Sequence, residues 1–144
     1  MTWLRVIPAI VVFTAGLQAQ ESEVDKRIRT VAGLDVQLSK AFFNEIKATI
    51  AKGDKRAVSK LISYPTTVNL KGEPNQVIQD CAEFEAHYDE IINERVLEVV
   101  RSQAYEDLFV NWRGVMFGRG EIWFSALKGP TGELDQFTIT KVNN

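Results

Sequence analysis

Residues 108–127 read LFVNWRGVMFGRGEIWFSAL, and the fold class turns on how this stretch is parsed. Leu108–Phe117 and Glu121–Leu127 are rich in aromatic and β-branched residues, with Gly118-Arg119-Gly120 between them. Runs of that kind around a short glycine-containing loop predict two antiparallel strands. Glycine there supplies the positive φ that a tight turn requires. Further on, GPTG at 129–132 marks another turn, and Leu134–Val142 closes the chain as a third strand. The three strands form a meander.

The alternation along these strands is unusual. Leu108, Val110, Trp112 and Met116 fall on one side of the first strand, and Phe109, Val115 and Phe117 on the other. In the second strand Ile122, Phe124 and Ala126 oppose Trp123 and Leu127. An antiparallel sheet with one face in water normally shows one polar side. Large apolar groups on both sides call for a pocket under the helices or a second subunit on the sheet. A β-bulge near Gly114, which would swap the alternation midway, is a third explanation.

Upstream the period changes from two to about four. Leu34, Leu38, Phe42, Ile46 and Ile50 form a helical stripe that Gly53 stops. Asp54 caps a shorter helix bearing Ala57, Val58, Leu61 and Ile62, which ends before Pro65. TTVNLK at 66–71 reads as a strand, GEPN at 72–75 as a turn, and Gln76–Gln79 as a short return strand. Asp80 and Glu83 have capping-box spacing ahead of Cys81, Phe84, Tyr88, Ile91 and Ile92, and a further helix covers Glu94–Gln103. Helices on one face of a curved antiparallel sheet make this an α+β fold in a single domain.

The N-terminus carries a different signal. Arg5 precedes an uncharged apolar run, VIPAIVVFTAGL at 6–17, and Ala19 offers a small residue for cleavage. That layout predicts a secretory signal peptide over 1–19 and an exported, periplasmic or secreted, product. The run is too short for a spanning helix, so no stable membrane span is expected after cleavage. Residues 20–33 read as a flexible leader, and 34–144 as the folded domain.

Composition excludes several function classes. The chain has net charge −2, which becomes −3 once Arg5 is removed, and a nucleic-acid binder should show a basic face instead. With one cysteine, Cys81, the exported domain has no disulfide framework and must be held by packing. Cys81 and the lone His87 lie six residues apart on one helix and point in different directions. No metal site and no cofactor are expected: one histidine cannot make a histidine-rich zinc site, and there is no phosphate-binding loop or nucleophile elbow.

The residues left to line a pocket are Tyr64, His87, Asn111, Trp112, Glu121 and Trp123. Tyr64 precedes Pro65, where its ring anchors a turn or its hydroxyl reaches a cavity. His87 sits at the edge of an apolar stripe beside Asp89, and a catalytic role would need a positioning partner. Asn111 reads as a buried hydrogen-bonding anchor. Arg113 and Glu121 flank the presumed turn, as a cross-strand ion pair or with Arg113 holding a ligand carboxylate.

The helix pair over Leu34–Ile62, YPTTVNL, AEFEAHYDEII and LFVNWRGVMFGRGEIWF together resemble the nuclear transport factor 2-like superfamily, a cystatin-like α+β roll. The YP…VN, EF…HYD and GVMFGRGEIWF segments are similar to uncharacterised secreted or periplasmic bacterial members. The resemblance implies a bent sheet around a long helix, with a pocket that some members use for isomerase, dehydratase or cyclase chemistry. It carries no catalytic residue onto this chain: the dehydratase histidine pair is missing, and no isomerase-type tyrosine and aspartates align. The expected function is non-catalytic binding of a small apolar ligand or a protein partner, with a homodimer formed through the sheet. The alternative is a pocket enzyme doing acid–base chemistry.

Overall fold

The computed structural model describes residues 20–128 and 134–144. The signal peptide expected over 1–19 and the GPTG turn lie outside them.

Local chemistry starts the helices, at Asp54 and Asp80 as the sequence indicates and at Asp35 and Asn93 by the same rule. Asp35 opens α2 (Val36–Ala51) by accepting the Leu38 N–H at 2.8 Å, and Gly53 (φ +64°) stops it. Asp54 caps α3 (Lys55–Ser59) through the Ala57 N–H at 3.0 Å. Asp80 caps α4 (Cys81–Ala86) through the Glu83 N–H. Glu83 reaches back to the Gln79 N–H at 2.7 Å, one residue earlier than the usual capping box. After α5 (Tyr88–Ile91), Asn93 caps α6 (Glu94–Ser102).

The leader expected over 20–33 is a packed element instead. Ser22 caps α1 (Glu23–Arg27), and a π-helical turn over Ile28–Ala32 continues it. Val24 and Ile28, one helical turn apart, are buried in the core. Two apolar residues at this spacing hold the segment despite the charges around them.

In α2 the buried side carries Ser39, Phe42, Phe43, Ile46 and Ile50, whereas Leu38 is 55% exposed. A four-residue step overshoots one helical turn by about 40°, so a strict fourth-residue stripe drifts off any one face. Contact with the sheet selects Phe43, and Leu38 turns to solvent.

Two antiparallel sheets receive these helices. β1 (Thr66–Leu70) and β2 (Glu73–Ile78) form a hairpin joined at Lys71 and Gly72, so the return strand begins three residues earlier than expected. The main sheet has four strands in the order β3 (Phe109–Asn111), β4 (Gly114–Phe117), β5 (Ile122–Lys128) and β6 (Leu134–Val142).

Leu108–Phe117 is therefore not one strand. It folds back on itself at Trp112-Arg113, pairing Phe109 with Met116, Val110 with Val115 and Asn111 with Gly114. The turn breaks the alternation, and both halves then obey one rule. Val110, Val115, Phe117, Ile122 and Phe124 point inward and are fully buried, while Phe109 is 43% exposed and Trp112 75% exposed. Of the readings offered by the sequence, a register swap near Gly114 is right in position, but a hairpin makes it rather than a bulge.

The expected pocket beneath the helices is filled. Phe43 stacks on Phe117 with ring centroids 5.1 Å apart, and Phe42 meets Phe124 edge-on at 5.5 Å. Tyr105 and Phe137 extend this aromatic layer between α2 and the sheet. Each ring removes a large apolar surface from water and adds a directional contact, so this layer stabilises the packing of α2 on the sheet.

Gly114 makes the hairpin possible. Its φ is +131°, and a Cβ there would lie 2.3 Å from the Phe124 carbonyl oxygen. Gly53 also has positive φ, but nothing lies within 4 Å of the corresponding Cβ position. Gly114→Ala is expected to cost more than about 3 kcal/mol, and Gly53→Ala only about 1–2 kcal/mol. Urea denaturation of the two variants, with equal losses, would contradict this account of the turn.

Candidate functional site

The outer side of the main sheet carries a group of partly exposed aromatic side chains with cations beside them. Phe109, Met116, Trp123 and Lys141 stand in register across β3, β4, β5 and β6. Phe109 and Trp123 meet edge to face with centroids 6.4 Å apart. Leu127, 47% exposed, lies on the same side of β5 as Trp123 by strand alternation. Trp112 projects from the β3–β4 turn, and its 75% exposure is the largest among the large apolar side chains described. Two cations decorate the aromatics: the Arg27 guanidinium lies 5.6 Å from the Phe109 ring centre and that of Arg113 lies 5.0 Å from the Trp112 ring.

A groove of about 340 Å³ opens on this side, lined by Arg113, Trp123, Thr140, Lys141 and Asn143. Lys141 Nζ donates to the Thr67 carbonyl at 2.6 Å and to the Thr67 hydroxyl. Burial holds the Lys141 ammonium below its usual pKa, because removing water disfavours the charged form. Asn143 donates its side-chain N–H to the Gly120 carbonyl and its backbone N–H to the Glu121 carbonyl, which fixes the groove wall.

The six residues singled out from sequence do not assemble into one site. Trp112 and Trp123 belong to the aromatic surface just described. Tyr64 packs on Phe84, and its hydroxyl donates to the Ser59 carbonyl at 2.7 Å. Burial raises the Tyr64 pKa, with the neighbouring Cys81 and Glu85 adding to the effect. Its ring anchors the turn. His87 ends α4 with Nδ1 3.8 Å from Glu90 Oε1, beside a small groove of about 230 Å³ that includes Glu73 and Gln76. Asp89 is engaged by Lys55 at 2.8 Å.

Asn111 Oδ1 accepts the Arg113 N–H at 2.8 Å, spanning the β3–β4 turn rather than anchoring a pocket. Glu121 Oε2 accepts the Arg119 N–H at 2.7 Å and closes the next loop. Among the described residues no ion pair joins Arg113 and Glu121: the Arg113 guanidinium lies over the Trp112 ring, and the Glu121 carboxylate accepts within its own turn. Cys81 is half-buried, with Sγ 3.6 Å from the Ser59 carbonyl. Among the described residues no cluster of three or more His, Cys, Asp or Glu is placed to hold a metal ion, and no helix is long and apolar enough to cross a membrane.

One polar constellation has no signature in the sequence. Asp25, only 7% exposed, accepts from Lys40 Nζ at 2.8 Å and from the Tyr105 hydroxyl at 2.9 Å. The Lys40 ammonium also lies 5.2 Å from the Tyr105 ring centre. The three side chains come from α1, α2 and the single turn at Tyr105–Asp107, separated by 15 and 80 residues from Asp25. They border a cleft of about 580 Å³. Burial by itself would raise the Asp25 pKa, but the hydrogen bonds from Lys40 and Tyr105 outweigh it and hold the carboxyl below its usual range. Both carboxylate oxygens are thereby satisfied, so the group acts as a clasp for the N-terminal segment.

No family model, curated protein or solved structure matches this chain.

The clasp has a pH signature. Asp25 binds its proton less readily when folded than when unfolded, so its stabilisation is present above the ordinary aspartate pKa of about 3.9. It is lost as pH falls through the lower, folded-state value. Asp25→Asn is expected to be less stable than the parent at pH 7, with the difference shrinking below about pH 4. Urea midpoints at pH 7 and pH 3 check this; a gap unchanged at pH 3 would contradict the clasp.

Proposed function

We propose that this chain is an exported, non-catalytic binding domain of the nuclear transport factor 2-like layout that works through the outer side of its four-stranded sheet. Its first partner there is a second copy of itself. The single observation that carries the reading is the exposed aromatic surface around Trp112, with Phe109 and Leu127 on the same sheet. Trp and Arg dominate binding energy at protein interfaces, and here Arg113 and Arg27 already lie over exposed rings. Closed two-fold pairing is the commonest arrangement by which soluble chains cover such a face.

Magnitudes set the strength of the association. Covering Trp112, Phe109 and Leu127 removes roughly 300 Å² of apolar surface per copy, or about 7 kcal/mol per copy at 25 cal/mol per Å². Association costs about 4–15 kcal/mol, and standard interfaces bury about 1,200–2,000 Å² in total. The balance favours a weak dimer that dissociates on dilution. The acid–base alternative needs a cavity beneath the sheet, where Phe42, Phe43, Phe117 and Phe124 are packed against one another.

Sedimentation of the chain starting at Gln20 is expected to show a monomer at about 1 μM and a substantial dimer fraction at about 100 μM. Trp112→Ala combined with Leu127→Asp should remove the dimer with little change in melting temperature, since both side chains are exposed. Monomer alone across that range would overturn the reading.

A further inference from the structure

The groove at Trp123 combines two cations with an aromatic ring. The chain carries a net charge of −2, yet none of Arg113, Trp123, Thr140, Lys141 and Asn143 is acidic. The groove between α2 and α6 also lacks an acidic lining residue, but there Arg101 pairs with Glu98 at 3.0 Å, Lys47 donates to the Arg101 and Gln103 carbonyls, and no aromatic ring lines it. At Trp123 two cations flank an aromatic ring, and neither forms an ion pair among the described residues. Lys141 donates to the Thr67 carbonyl and hydroxyl, which fixes the ammonium in place while leaving its charge uncompensated. Arg113 rests on the Trp112 ring and carries five donors in a planar fork suited to a carboxylate.

The groove also has a flat apolar side. Trp123 is half-buried and braced edge-on by Phe109, so its ring has little freedom left to lose when a flat ligand stacks on it. A volume of about 340 Å³ suits a small molecule. A ligand matching both features needs one anionic end and one flat apolar body.

We infer that the Arg113–Trp123–Lys141 groove binds a small carboxylate with a planar apolar body, the carboxylate between the two cations and the ring against Trp123. The inference rests on the reading that this side of the sheet is a binding surface, but it does not require the second copy. Arg113 supplies paired donors, Lys141 the remaining charge, and Trp123 the stacking surface. A free aromatic acid and an aromatic acid group at the end of a larger molecule share this chemistry.

Benzoate is the direct probe, with benzyl alcohol keeping the ring without the charge and inorganic phosphate keeping the charge without the ring. Titration into the ¹⁵N-labelled Leu127→Ser chain starting at Gln20, which weakens pairing of copies and leaves the groove lining intact, is expected to shift the Trp123 indole N–H and the Arg113 signals together, saturating on the order of 1–10 mM. Benzyl alcohol and phosphate should each bind at least about fivefold more weakly. Arg113 is exposed, so Arg113→Gln should fold normally and weaken benzoate by about fivefold. Either control matching benzoate, an unchanged affinity in Arg113→Gln, or shifts centred elsewhere overturns the inference. Sedimentation of the parent chain reports the second-copy reading separately: monomer at every concentration sinks that reading alone, and absent benzoate binding in the monomeric Leu127→Ser chain sinks this one alone.

Discussion

The close approach of the chain to itself at Gly114 governs how every strand residue after 108 is used. With no side chain at 114, the backbone comes against the Phe124 carbonyl and turns back at Trp112-Arg113. That turn puts Val110 and Val115 on the same side of the sheet as Phe117, Ile122 and Phe124. One side of the sheet can then be wholly apolar and dry. The remaining large groups, Phe109, Met116 and Trp123, are gathered on the other side. An uninterrupted strand would have scattered both sets across the two faces.

The inner side is completed by helix α2 and by the N-terminal segment. Phe42 and Phe43 enter the aromatic layer over the sheet. The N-terminal segment is tied down at both ends of its polar surface: Asp25 to Lys40 and Tyr105, and Arg27 to the Val110 carbonyl at 2.9 Å. The second contact is with β3 itself, and the same arginine lies over the outward-facing Phe109 ring. A segment that holds the core together on one side thus also shapes the exposed aromatic surface at its edge.

Much of this was legible in the sequence, and the failures have physical causes. Helix starts at Asp54 and Asp80 were read from a side chain reaching three residues along, a local rule that tertiary structure left intact; Asp35 and Asn93 follow the same rule but were not read as caps. The β3–β4 hairpin was hidden because Trp112 and Arg113 are not ordinary turn residues; the signal was the Asn111 side chain, which bonds two residues on, next to a glycine. Residues 20–33 looked unstructured because charge outnumbers apolar content, although Val24 and Ile28 stand at helical spacing. The Asp25 clasp was not readable at all, since its partners come from distant segments. The Trp123 groove was half readable: the tryptophan stood out, but Lys141 joins it only through the pairing of β5 with β6.

The proposed function requires the outward aromatic surface to be a contact surface rather than a solvated one. Iodide quenching of Trp112 emission, in a Trp123→Phe background of the chain starting at Gln20, reads this directly. The account predicts strong quenching in dilute solution and progressive protection as protein concentration rises toward about 100 μM. Equal quenching at every concentration would contradict it.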